Sequence, residues 1–427
     1  MKNLLRKILP DFVFWLYHWF LSLTGALFYG FPSKKTKVIG VTGTNGKSTV
    51  VFLLSNLLEK TGCRVASISS IQFKAGSKVW VNDLKMTMPG RWRIQKFINQ
   101  AVEAKCDYVL LEVTSEGIKQ ARHKFIDFDL AVFTNLTKEH IESHKGFDNY
   151  KEAKAKLFKS LKKKGKAVFN LDDKNIDYFL NSTNAKKMGY CIDKKEESLK
   201  NKQIQSKNIL KAHNLNLKSN GFSFKLRERI FNLKLLGKFN AYNALAVIAV
   251  GLIEGFSLDK IKNALEDVKS IPGRLEIVSE KPLVIVDYAH TPDALEKVYQ
   301  TLSFLKQGNS KLIGVLGAAG GGRDKWKRPE LGRIASGYCD YFLLTNEDPY
   351  DEIIDNILKD IEEGVGSSKN YQKIADRKQA IKKAINLAGP EDVVIITGKG
   401  CEPWMCVGDG KKIKWDDRKI IKDFLGG

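Results

Sequence analysis

A chain of 427 residues is too long for one ordinary core, and at roughly 150 residues per domain it implies about three units. With 43% hydrophobic, 28% charged and 10% aromatic residues it is globular, which excludes a largely disordered or fibrous chain. The net charge of +23 suits anionic partners such as nucleotides, sugar phosphates, nucleic acid or an acidic membrane face; a solvated Lys-rich surface is the plainer account. Six cysteines (63, 106, 191, 339, 401 and 406) lack Cys-x-x-Cys spacing, indicate neither a disulfide framework nor a zinc knuckle, and fit a reducing, cytoplasmic setting.

The N-terminal segment 1–36 contains an uncharged, aromatic-rich stretch, FVFWLYHWFLSLTGALFYGFP (12–32). About 20 apolar residues are long enough to span a bilayer. Lys2, Arg6 and Lys7 precede the stretch and Lys34, Lys35 and Lys37 follow it, so the positive-inside rule orients nothing. A helix packed on the protein's own body or on a partner, and a helix lying at a membrane interface, are the stronger readings; association with the inner membrane face follows from the second.

From Lys37 short apolar runs alternate with helix-like stretches, the pattern of βαβ units around a mainly parallel sheet. KVIGV (37–41), YVLLEV (108–113) and LAVFTNL (130–136) read as buried strands. Polar, Lys-rich sequence from 181 to 220 reads as surface excursions with short antiparallel strands, ending in FNLKLLG (231–237). SIPGR (270–274) is a turn signal, after which the alternation restarts with PLVIVDYA (282–289), KLIGVLGAAGGG (311–322), YFLLTNEDP (341–349) and DVVIITGKG (392–400). The expected architecture is α/β: a central P-loop domain over 37–271 and a Rossmann-like domain over 272–427, preceded by the apolar helical segment.

VIGVTGTNGKSTVVFLLSNLL (38–58) is a strand, a Gly-rich turn and an amphipathic helix. Gly43 and Gly46 let the backbone of Gly43, Thr44, Asn45 and Gly46 approach phosphate oxygens, and the helix N-terminus adds positive potential. Lys47 is placed to reach the β/γ-phosphates of a nucleotide, and Ser48 or Thr49 to offer a hydroxyl to Mg²⁺. Val41 stands where the strict GxxxxGK[ST] pattern has its first Gly. Downstream, Glu112 ends a buried apolar strand, where a carboxylate is costly unless it meets a cation. Asn135, Glu139 and His140 follow the next strand.

The wording GTNGKST resembles the Mur ligase superfamily, ATP-dependent enzymes that join a carboxylate to an amine. The resemblance implies ATP and Mg²⁺, with Glu112 and His140 as ligands of a second Mg²⁺. YKEAKAKLF (150–158) is similar to the family's Y-x-x-A-K motif, which implies a carbamate on Lys154. LLGKFNAYNALAV (235–247) implies adenine contact by Asn243, with Asn240 three residues before it on the same helix face; an ordinary helix start capped by Asn240 is the plainer reading of that residue. PGRLE (272–276) implies that Arg274 swings onto the phosphates. VDYAHTPDAL (286–295) implies a ribose contact by Asp287 and closure by His290.

GAAGGGRDKWKRP (317–329), TNEDPYDE (345–352) and GKGCE (398–402) resemble the branch that adds the third amino acid to a UDP-muramoyl dipeptide. In that branch these runs shape the amino-acid pocket, which implies Arg323, Glu347, Asp348, Tyr350 and Glu402 here, with Asp324, Lys327 and Arg328 retained. KMTMPGRW (85–92) echoes a family acceptor loop through Thr87 and Pro89; Ser115 and Arg122 complete the acceptor candidates. Three departures stand out. Glu347-Asp348-Pro349-Tyr350 replaces D-N-P-R, removing the Arg that grips the distal carboxylate of diaminopimelate and leaving adjacent carboxylates that suit a cationic side chain such as Lys or ornithine. Cys401 replaces a His. The family's UDP-holding domain of roughly 100 residues has no counterpart in the 36 residues before Lys37. The implied partners are a muramoyl-peptide-type acceptor and a free amino acid, plus a membrane or partner protein at 12–32, without nucleic acid. A related ligase of the superfamily, of folylpolyglutamate or amino-acid-polymer type, is the rival enzyme. A non-catalytic ATP-binding scaffold is the rival of another class.

Overall fold

The computed structural model describes residues 10–82, 84, 86–194, 203–367 and 370–426. Lys2, Arg6, Lys7, Lys85 and residues 195–202 of the Lys-rich stretch lie outside the described residues.

Two sheets organise the chain. The larger has eleven strands: β1 (Lys37–Thr42), β2 (Val65–Ile68), β3 (Gln72–Ala75), β4 (Lys78–Val81), β5 (Tyr108–Glu112), β6 (Phe128–Phe133), β7 (Leu161–Asn170), β8 (Lys186–Ile192), β9 (Ile209–Lys218), β10 (Gly221–Leu226) and β11 (Arg229–Leu233). Their spatial order is β11-β10-β9-β8-β7-β6-β1-β5-β2-β3-β4. From β2 through β9 the neighbours run parallel, and antiparallel hairpins close both edges. Alternate side chains of a strand face opposite sides. Ile39 and Val41 therefore join a core with the helices Lys47–Lys60 and Lys238–Ile253. Val38 joins a second core with Phe97 and Leu157, from the helices Arg91–Glu103 and Phe147–Lys159. Both faces are covered, which is why β1, β5 and β6 read as continuous apolar runs.

The Lys-rich stretch departs from its expected surface role. β8 pairs parallel with β7, and β9 pairs parallel with β8, so both extend the main sheet. Along β9 only Leu210 and Ala212 are buried, and the rest of the strand is partly or fully exposed. A strand covered on one side in this way carries too few apolar residues to stand out in sequence.

The second sheet contains β12 (Glu276–Glu280), β13 (Leu283–Val286), β14 (Leu312–Leu316), β15 (Tyr341–Leu344), β16 (Tyr371–Lys373) and β17 (Val393–Ile396), in the order β12-β13-β17-β14-β15-β16. All are parallel except the edge strand β12. Helices Pro292–Ser303, Lys327–Tyr338 and Ile354–Glu362 cover one face, and Arg377–Leu387 and Asp417–Leu425 the other. In such doubly wound sheets ligands collect beyond the strand C-termini. Asp287, Glu347 and Gly398 all follow those ends, and all face the first sheet across a shared cleft. A short antiparallel pair, β18 (Trp404–Cys406) and β19 (Lys412–Lys414), completes the strands.

The apolar N-terminal stretch forms the helix Asp11–Phe28, which packs on the helix Arg91–Glu103. Among the described residues no helix is long and apolar enough to cross a membrane. All six cysteines are free.

Candidate active site

A cleft of about 990 Å³ lies between the C-terminal ends of the two sheets. Its floor is the Gly-rich turn between β1 and the helix Lys47–Lys60. Gly43 (φ +151°) and Gly46 (φ +84°) hold backbone conformations that side chains rarely adopt, and a Cβ on them would run into the Thr134 hydroxyl and the Asn243 amide respectively. Neighbouring loops brace the turn: Thr44 N–H donates to Asn135 O (2.8 Å), Asn45 N–H to Asn135 Oδ1 (2.9 Å), and Thr134 Oγ1 to Asn45 O (2.7 Å). Lys47 donates to Thr44 O at 2.7 Å, so its ammonium lies over the turn. Thr49 is buried on the inner side of its helix yet still borders the cleft.

Glu112, at the end of β5, accepts from the Ser48 hydroxyl (2.8 Å) and from Ser70 N–H (2.9 Å). Arg274 reaches the same point from the second sheet, 3.4 Å from Ser48 Oγ and 3.1 Å from Ser70 Oγ, while stacking 4.3 Å over the Tyr288 ring. A hydroxyl, a carboxylate and a guanidinium thus converge beside a phosphate-shaped turn.

Lys154 is fully enclosed and is absent from the cleft wall. Its ammonium donates to Gly43 O (2.6 Å) and lies 4.5 Å from the Tyr150 ring centroid. Burial, reinforced by nearby Lys47, holds the amine well below its usual value against the opposing pull of Glu139 and Glu112. His140 lines the cleft, and burial lowers its imidazole pKa. Among the described residues no three His, Cys, Asp or Glu side chains converge on a metal position. The oxygen donors Ser48 and Glu112 suit a hard cation such as Mg²⁺, whereas Glu112 and His140 need a further ligand to make a second site.

Asp287 is buried, and its carboxylate accepts from Leu275 N–H (2.7 Å) and Ala289 N–H (2.6 Å); burial raises its pKa. It therefore anchors the interdomain turn as well as bordering the cleft. His290 bonds through Nε2 to Glu139 Oε1 at 3.2 Å. Burial alone would push the Glu139 carboxyl up, but His140, the bond from His290 and Lys327 outweigh it and hold it well below the usual range. Asn243 donates to Asn240 Oδ1 (2.9 Å) and abuts Gly46. Gly237, not Asn240, occupies the cap position of that helix, and the Asn240 amide instead donates to Leu236 O.

On the amino-acid side, Arg323, Glu347, Asp348, Tyr350 and Glu402 all line the cleft. Asp348 and Glu402 both receive Lys399, at 3.0 and 2.6 Å, and Asp348 also accepts from Cys406 N–H. Glu347 differs. It is buried, its Oε2 has no hydrogen-bond partner, and it faces Gly398, where a Cβ would strike the carboxylate. Arg328 is committed to Asp360 and Glu352, a structural role. On the acceptor side, Thr87, Gln120 and Arg122 line the cleft, whereas Ser115 is buried at the start of a short helix outside it. Arg122 donates to Gln120 Oε1 (2.8 Å) and to Met88 O, leaves Nε without a partner, and is drawn down to about 10 by burial. Arg91 shares the same glutamine. No carboxylate among the described residues hydrogen-bonds either guanidinium.

Ser70, Asp293 and the interdomain role of Asp324 escaped sequence reasoning. Asn45 donates to Asp293 Oδ2 (2.9 Å), and Asp324 accepts from Ile141 N–H (3.1 Å) and Glu142 N–H (3.2 Å). The contacts join segments 182 to 248 residues apart, and no local pattern encodes them.

The Mur ligase middle domain family matches residues 41–251, and the family described as Mur ligase, glutamate ligase domain matches residues 273–400. The chain belongs to the Mur ligase family. A UDP-N-acetylmuramoyl-L-alanyl-D-glutamate–2,6-diaminopimelate ligase of Clostridium acetobutylicum is 38% identical over 414 residues, 95% of this chain and 81% of that one. The Bacillus cereus enzyme of that name is 36% identical over 420 residues, 95% and 82% of the two chains. A solved structure of such a ligase covers 92% of this chain and 78% of its own, at 29% identity and a TM-score of 0.60. Mycobacterium tuberculosis folylpolyglutamate synthase complexed with ADP shares the fold alone, at 17% identity and a TM-score of 0.70 over 91% and 96% of the two chains. This Mur ligase is accordingly an ATP-dependent carbon–nitrogen ligase.

Proposed function

We propose that this Mur ligase joins an amino acid bearing a cationic side chain to the carboxylate of a muramoyl-peptide acceptor, at the expense of ATP. The observation that carries the reading is one cleft holding the phosphate turn with Lys47, the Ser48–Glu112 pair, the Arg122 guanidinium, and Glu347, whose Oε2 has no hydrogen-bond partner. Lys47 and Arg274 steady the ATP phosphates, and Asn243 and Asp287 border the nucleoside side. Mg²⁺ held by Ser48 and Glu112 supplies charge neutralisation at the phosphates. In this reading Lys154 carries a carbamate that joins Glu112 and His140 at a second Mg²⁺. A neutral amine is the form that attacks carbon dioxide, and the burial of Lys154 favours that form.

The acceptor carboxylate takes the γ-phosphoryl group, giving an acyl phosphate and ADP. The incoming amine then attacks the acyl carbon, the carbon–oxygen bond to phosphate breaks, and the amine loses a proton to solvent. Arg122 orients the anionic acceptor, and Arg91 braces Gln120 beside it. Glu347 receives the ammonium of the incoming side chain, since a buried carboxylate oxygen without a hydrogen-bond partner gains most from a charged donor. The relatives' names specify diaminopimelate; Tyr350 here cannot grip a distal carboxylate as a guanidinium does.

Phosphate release scored over Lys, ornithine and diaminopimelate, with UDP-muramoyl-dipeptide or folates as acceptor, tests the reading. Turnover with Lys or ornithine on the muramoyl acceptor is expected. Diaminopimelate-only turnover would overturn the side-chain assignment, and folate-only turnover the acceptor. Lys47→Ala is expected to lower phosphate release by roughly 10³-fold, and Glu347→Gln to raise KM for the amino acid about 10–100-fold.

A further inference from the structure

The helix Asp11–Phe28 is apolar around its whole circumference, and such a helix needs cover on every side. The protein covers one side. Ser22 and Ala26 are buried there, Ser22 Oγ donates to Ala121 O (2.8 Å), and Gly25 lets Trp92 approach so closely that a Cβ would sit 3.4 Å from its Cα. Trp92 Nε1 donates to Thr24 Oγ1 (3.2 Å), and Trp19 meets Phe125 edge-on at 5.2 Å. Elsewhere the helix is bare: Phe12, Leu16, Phe20 and Leu27 are 62, 49, 58 and 57% exposed, and Trp15, two turns before Ser22, is 47% exposed. Phe28, against Trp92 at 5.1 Å between ring centroids, carries the patch onto the helix Arg91–Glu103. A contiguous apolar patch of this kind marks an interaction site.

Apart from Asp11, which opens the helix, the charge around the patch has one sign. Residues 12–37 and 86–102 contain no Asp or Glu. Lys34, Lys35, Arg93 and Lys96 are exposed beside the patch, and none has a salt-bridge partner among the described residues. We propose that this face docks onto an anionic lipid surface, with the aromatic residues at the headgroup boundary and the four cations against lipid phosphates. A second copy of the chain fits less well, because pairing the face with itself opposes cation to cation. The helix is bonded to Ala121, next to Arg122, so the docked chain holds the Gln120–Arg122 wall of the cleft near the bilayer.

Co-sedimentation of the full chain with phosphatidylglycerol vesicles and with phosphatidylcholine vesicles tests the proposal. Strong binding to the first and weak binding to the second is expected, falling as salt is raised. Leu16→Glu with Phe20→Glu is expected to lower binding by at least about tenfold. Arg93→Glu with Lys96→Glu leaves the apolar face intact and is expected to cut binding to the anionic vesicles by about tenfold or more. Failure to bind anionic vesicles, equal binding to both kinds, or binding unchanged in both double variants overturns the proposal. So does a concentration-dependent dimer that Leu16→Glu with Phe20→Glu abolishes, which would assign the face to a second copy.

Discussion

At the scale of single residues, the buried Lys154 is the sharpest test of the chemistry. Among the described residues its Nζ donates only to Gly43 O, and burial there holds the amine well below its usual value, which favours the neutral form. Lys154→Ala is expected to lose turnover and to regain part of it with added formate or acetate, measured by phosphate release. Absence of any rescue counts against the carbamate. His123 provides an independent handle on stability. It is buried, Nδ1 has no partner, and burial, with smaller contributions from Lys124 and Lys156, lowers its imidazole to about 3 from 6.5. The unfolded chain therefore binds a proton that the folded chain refuses. Stability from this group is intact above pH 6.5 and is lost as pH falls towards 3, by up to roughly 4 kcal/mol. His123→Gln is expected to flatten the acid limb of a denaturant-melting profile; an unchanged limb would show that the imidazole takes up its proton in the folded state. Residues such as Lys47 and Glu112 were legible because short-range motifs surround them. Glu347 was named too, but only the structure separates it from Asp348, whose carboxylate Lys399 has already claimed.

At the scale of elements, the turn between the two sheets carries the most constraint. Gly273 sits at φ +62°, and a Cβ on it would collide with the backbone of Gly400 and Cys401. Its neighbours are pinned on both sides, since Gly273 N–H donates to Glu276 Oε2 (2.6 Å) and Leu275 N–H to Asp287 Oδ2. Gly273→Val is expected to destabilise the chain by about 1–3 kcal/mol and to displace Arg274 from Ser48, lowering kcat more than it changes ATP affinity. Thermal melting and steady-state kinetics check this, and wild-type behaviour in both would show that the turn gives way freely. Strands buried on both faces, such as β1 and β6, were readable as apolar runs. β8 and β9 were not, because partial cover lets lysines and asparagines occupy the open positions without cost.

At the scale of the whole molecule, the two units meet through polar contacts and through an apolar one, in which Leu236 and Phe239 join the core of the second sheet. Asn45–Asp293, Asp324 with Ile141 and Glu142, and His290–Glu139 span the cleft. Asp293→Ala with Asp324→Ala is expected to enlarge the radius of gyration in solution and to raise KM for the amino acid, with thermal unfolding little changed. An unaltered scattering profile would show that the closed arrangement does not depend on these bonds. Hydrophobic periodicity was enough for two α/β units, and local motifs for the Gly-rich turn and the resemblance to the family, because those signals lie within a few residues of one another along the chain. Which carboxylates remain available, which cations lack partners, how the two units meet and which side of the first helix stays bare depended on groups brought together from 51 to 248 residues apart. Burial and pairing are properties of that juxtaposition, and only the folded chain possesses them.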